Sequence, residues 1–157
     1  MDKSKLIIIF FLAISALKAQ QIEITSDSFF ADEKKQISEF FGNVKIKKGD
    51  YDELRAEKVV VNFNNARQPI KYTATNNVYF KVMIHDKTYE GNGNLLTYEP
   101  QQEIYTIAGK AHLREIQTDK NVYGQQIIVN QKTGVYNVVS SEKQPVKFIF
   151  QVKEDKK

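Results

Sequence analysis

The chain has 157 residues, 41% of them hydrophobic and 27% charged, with no cysteine, no tryptophan and a formal net charge of +4. One domain is expected at this length, and the missing cysteines exclude a disulfide framework, a thiolate metal site and a cysteine nucleophile together. Two histidines, His85 and His112, leave most zinc and histidine-base chemistry short of parts. The composition points to a domain that binds rather than converts, with no cofactor and no metal expected.

Lys3 and Lys5 precede an almost unbroken apolar run from Leu6 to Leu17, with Ala19 standing ahead of Gln20. That is the layout of a secretory signal peptide over 1–19, followed by a main domain over 20–152 and a charged tail over 153–157. The run is well short of the ~20 residues that span a bilayer. The alternative is an uncleaved inner-membrane anchor. Without the leader the chain carries 20 basic and 18 acidic side chains, so its basicity is partly a property of the export signal. Nucleic acid is not an expected partner.

From Gln21 onward, apolar residues recur with a period of two, the signature of half-buried strands. Ile22 and Ile24 open the series. Over Asp32–Phe41 strand–turn–strand is preferred to a helix, with Glu33–Gln36 as a polar turn and a bulge or kink at Gly42-Asn43. Val44 and Ile46 follow, then Val59, Val61 and Phe63, then Val78, Phe80 and Val82. Leu96 and Tyr98, Tyr105 and Ile107, and Ala111 and Leu113 continue the pattern. Ile127 and Val129, Tyr136 and Val138, and Val146, Phe148 and Phe150 complete about ten short strands.

The strands repeat. Phe41-Gly-Asn-Val-Lys-Ile46 resembles Thr75-Asn-Asn-Val-Tyr-Phe80, then Ala108-Gly-Lys-Ala-His-Leu113, with Lys143-Gln-Pro-Val-Lys-Phe148 as a weaker fourth copy. Ala56-Glu-Lys-Val-Val-Val-Asn62 likewise matches Gly124-Gln-Gln-Ile-Ile-Val-Asn130. The expected architecture is therefore all-β, with about four repeated antiparallel strand pairs. Such pairs cannot bury their own apolar face and must stack into one core or groove with two open ends. The start, Gln21–Thr25, is a clean strand, so Ile22 and Ile24 mark an edge available for pairing.

No nucleophile elbow, P-loop or zinc-protease helix is present. Gly91-Asn-Gly93 reads as a turn or bulge entering the strand at Leu95. His112 with Glu115, and His85 with Asp86, read as strand or turn positions facing solvent. No feature supports an enzyme. Lys34 and Lys35, and Lys45, Lys47 and Lys48, read as solvated faces. Their sharper alternative is a set of contacts to the phosphates of an anionic lipid at a groove mouth.

Several of these segments together resemble the OstA-like family: the export signal, Ile22-x-Ile24-x-Ser26-Asp27, Phe41-Gly-Asn-Val44, Ala56-Glu-Lys-Val-Val-Val61 and Ala108-Gly-Lys-Ala111. The similarity runs over about Gln21 to Phe150 and is best to periplasmic members that transport lipopolysaccharide. It implies a twisted, partly open β-jellyroll that binds the acyl chains of lipid A. Self-association would be head to tail, with further contacts to OstA-like domains of inner- and outer-membrane components, bridging the two membranes. The candidate groove or core positions are Val44, Ile46, Val61, Phe63, Phe80, Tyr98, Ile107, Leu113 and Phe148. Two alternatives stand beside this: a signal-anchored inner-membrane partner of the same pathway, and a secreted structural β-repeat protein without a ligand.

Overall fold

The computed structural model describes residues 21–141 and 143–155; the expected signal peptide lies outside them. Ten strands follow one another: β1 (Ile22–Thr25), β2 (Ser28–Asp32), β3 (Ile37–Lys48), β4 (Asp52–Phe63), β5 (Pro69–Ile84), β6 (Lys87–Glu99), β7 (Ile104–Glu115), β8 (Lys120–Asn130), β9 (Val135–Val139) and β10 (Lys147–Ile149). All neighbours are antiparallel, and β3 to β8 pair in chain order. The 32–41 segment is strand–turn–strand, as its sequence indicates.

The six central strands are longer than the short runs read from the sequence, because each is two such runs joined at a bend. Pairing slips at Phe41/Val44, Arg55/Lys58, Thr75/Val78, Asn92/Leu95 and Ala108/Ala111, which places a bulge in the middle of every hairpin. In β3, β5 and β7 two consecutive residues take left-handed backbone there: Gly42-Asn43, Asn76-Asn77 and Gly109-Lys110. Glycine and asparagine tolerate that conformation best, so the repeated sequence motif is the bend itself.

The flanks obey the same rule. β1 pairs with the second half of β3 and β2 with its first half, with the corner between them at Asp27. The Asp27 amide donates to the Phe41 and Gly42 carbonyls at 3.1 and 2.9 Å, and its carboxylate accepts from Asn43 at 3.0 Å. At the far side β9 and β10 share β8 in the same way. The weak fourth repeat copy is thus a strand broken between β9 and β10 rather than a complete bent pair.

The line of bends folds one continuous sheet over itself, and alternate side chains of both halves meet inside. Val44, Val59, Val61, Ala74, Val78, Phe80, Leu96, Ile107, Ile127 and Val129 are essentially fully buried there. At about 25 cal/mol per Å² of apolar surface, this shared interior is the main term holding the halves together. The two halves also touch where strand ends meet: Gln131, just after β8, donates to the Asp52 carboxylate and the Met83 carbonyl, both at 3.1 Å. The sheet does not close into a barrel, because among the described residues β1–β2 and β9–β10 meet no partner strand on their outer sides.

Candidate functional site

The space between the two half-sheets is lined by aromatic and aliphatic side chains supplied by strand alternation. Tyr72, Tyr98 and Tyr105 stand on neighbouring strands of one half, with ring centroids 5.9 Å apart for Tyr72–Tyr98 and 4.2 Å for Tyr98–Tyr105. Phe80 crosses from the other half and stacks on Tyr105 at 5.7 Å. Gly91 makes room for this ring: a Cβ there would fall into Phe80 and stand 2.7 Å from the His112 carbonyl oxygen. Burial, with Tyr98 and Asp52 as lesser causes, raises the Tyr105 phenol well above its ordinary range.

Beyond this stack, a narrow cleft of ≈ 80 Å³ opens where β1, β3 and β4 face β5, β6 and β7. Ile22, Ile46, Leu54, Tyr72, Tyr98 and Tyr105 make its walls almost wholly apolar. Lys48, Asp52 and Glu53 stand at its rim. Lys48 occupies the last position of β3, on the same face as Val44 and Ile46, so alternation turns it inward. Its ammonium donates to the Tyr98 hydroxyl at 2.9 Å, linking the two halves across the mouth. At the end of β7 the inward position is Glu115, buried, with the Lys87 ammonium at 3.2 Å.

The residues singled out from the sequence separate into four groups. Ile46 and Tyr98 line the cleft. Val44, Val61, Phe80, Ile107 and Leu113 are buried in the packed interior, and Phe63 packs partly buried against it. Phe148 was expected on an inward face, but it stands on β10 at 49% exposure against Phe150, with ring centroids 5.3 Å apart. The strand there is only three residues long and has no facing half-sheet to cover it. Ile22 and Ile24 lie on β1, whose outer side pairs with no strand among the described residues, and Ile22 also lines the cleft.

Sequence reading missed Leu54 and Tyr72 as lining residues and the inward turn of Lys48. Counting alternation back from Val61 puts Leu54 on the wrong parity, because the bulge at Glu57 flips it. Counting forward from Val44 and Ile46 would have reached Lys48. Of the lysine cluster, Lys45 faces the outer surface and pairs with Glu53 at 3.7 Å, so only Lys48 serves the cleft.

The weak titratable pairs do not assemble. His112 lies on the outer face, stacked on Tyr123 at 4.3 Å and hydrogen-bonded to Asn121 Oδ1 at 2.8 Å, whereas Glu115 points inward. His85 and Asp86 both have positive φ and form the two-residue hairpin turn between β5 and β6. An interior of this kind offers apolar surface, the Lys48 ammonium at its mouth and strand edges at either side, which suits binding of alkyl chains.

Over residues 23–135 the sequence matches the family described as LptA/(LptD N-terminal domain) LPS transport protein. No curated protein matches the chain significantly. Among solved structures, the fold is similar to that of LptH, the LptA-homologous periplasmic component of the conserved lipopolysaccharide transport device from Pseudomonas aeruginosa. The TM-score is 0.75 at 16% identity, and the match covers 85% of this chain and 96% of that one.

Proposed function

Because the chain belongs to the LptA and LptD N-terminal-domain family of lipopolysaccharide-transport proteins, we propose that it is a periplasmic carrier of lipopolysaccharide rather than an enzyme. Acyl chains of lipid A pass between the two half-sheets while the sugars stay outside. The observation that carries this reading is one sheet folded over a continuous apolar interior that never closes into a barrel. Each buried methylene contributes about 0.8 kcal/mol, so several chains bind without polar chemistry. Because the sheet is not closed into a barrel, its two halves can part along the free edges and let the chains move on without full re-exposure to water.

The free edges fit the same role. β1–β2 of one copy adds to β9–β10 of the next, or to related domains of inner- and outer-membrane components, and the apolar interior continues through the bridge. One observation favours a second reading, a ligand-free β-repeat protein: Val44, Phe80, Leu96 and Ile107 already fill the interior.

Photo-crosslinking in lipopolysaccharide-producing cells separates the two. A photoreactive residue at Phe80 or Phe63 is expected to capture lipid, and one at the outward Lys81 is not. Absence of adducts at every inward position would leave the packed repeat as the correct reading.

A further inference from the structure

Lys48 has a contact pattern that packing alone does not account for. Strand alternation turns it toward an apolar interior, where an ammonium is costly unless paired. Among the described residues no carboxylate lies within ion-pair distance of it, and its polar partner is the neutral Tyr98 hydroxyl at 2.9 Å. The two carboxylates at the same rim are otherwise engaged. Asp52 accepts from the Met83 amide and from Gln131, both at 3.1 Å, while Glu53 pairs with Arg55 at 3.2 Å and with Lys45 at 3.7 Å. Within the protein the partly exposed ammonium meets Tyr98 alone, through its hydroxyl and through its ring face with the centroid 5.2 Å away, so donors remain open toward solvent above a slot with apolar walls.

We propose that this cleft is an entry site for one acyl chain with an anionic phosphate next to it. The chain lies between Ile46, Leu54 and Tyr72, and the phosphate takes its place on Lys48. The Tyr98–Tyr105–Phe80 stack closes the inner end of the slot, so a single chain is admitted to a limited depth before the half-sheets part. At the far end the inward carboxylate of Glu115 is already neutralised by the Lys87 ammonium at 3.2 Å, which leaves Lys48 as the inward charge open to an anionic head among the described residues. This rests on the reading of the interior as a lipid path and adds to it the entry point and the charge of the head.

The test uses the purified protein with two 12-carbon amphiphiles below their micelle concentrations, dodecyl phosphate and uncharged dodecyl maltoside, titrated by calorimetry. Dodecyl phosphate is expected to bind about tenfold tighter, the size of one charge-assisted hydrogen bond at a partly exposed site, and the preference should shrink as salt rises. Lys48→Met removes the preference and leaves dodecyl maltoside binding in place, whereas Lys48→Arg retains it. Equal affinities, or a preference that survives in Lys48→Met, would overturn the proposal. So would failure of both amphiphiles to bind, even with lipid captured at Phe80 in cells, since that would leave the transport reading standing without this entry.

Discussion

Tyr105 is buried between the two half-sheets, its ring stacked on Phe80 of one and Tyr98 of the other. Burial is the largest cause of its raised phenol pKa, and the neighbouring Tyr98 and Asp52 add to it. Tyr72 is raised for the same first reason. An unfolded chain releases these protons near pH 10.0, while the folded protein retains them. The unfolded state therefore binds fewer protons, and stability present below pH 10 is lost as pH climbs toward the folded values. One such group contributes a slope of up to about 1.4 kcal/mol per pH unit. Denaturant unfolding of the native protein and of Tyr105→Phe, compared at pH 8 to 11, is expected to show a shallower alkaline loss in the variant. Identical slopes would mean that Tyr105 ionises without opening the interior.

At the scale of the element, the bend decides the fold. Asn76 and Asn77 hold φ values of 65° and 51° in mid-strand, where a β-branched side chain is strained. Asn77→Val is expected to cost about 1–2 kcal/mol in urea unfolding, while Asn77→Gly stays within about 0.5 kcal/mol of the native protein. Equal stability of all three would show that the corner does not need left-handed backbone. The same corners explain what could be read in advance and what could not. Phe41-Gly-Asn-Val44 and Thr75-Asn-Asn-Val78 were visible as a repeat because each strand pair needs its own bend. The strands themselves looked half as long because a paired left-handed step mimics a turn. In β4, β6 and β8 a bulge also flips the inward parity, so Leu54 and Val61 do not share one alternating count although both are buried. Phe148 shows the converse: its alternation is regular, but only tertiary cover could have made it inward, and β10 has none. The family resemblance indicated the folded-over sheet and its interior, whereas choosing Lys48 among 45, 47 and 48 needed the alternation of Val44 and Ile46 carried forward to the end of β3.

At the scale of the whole molecule, the two free edges differ in identity but are alike in character. β2 shows Phe29 at 61% exposure and Phe30 beside it, and β9 shows Val135 at 63% with Val139 nearby, so neither edge is blunted by a row of charges. If β1–β2 of one copy adds to β9–β10 of another, the contact is heterologous and does not close, and assemblies grow with concentration. Charges placed on one edge should then block one face only. The variant Phe29→Lys with Phe30→Lys keeps an intact C-terminal edge, and Val135→Lys with Val139→Lys keeps an intact N-terminal edge. Each alone is expected to sediment as a monomer at concentrations where the native chain forms oligomers. An equimolar mixture should form a heterodimer and nothing larger, because one functional edge of each kind remains. A β2-edge variant that still dimerises alone would point to pairing of like edges, and with it the continuous interior from copy to copy would be lost.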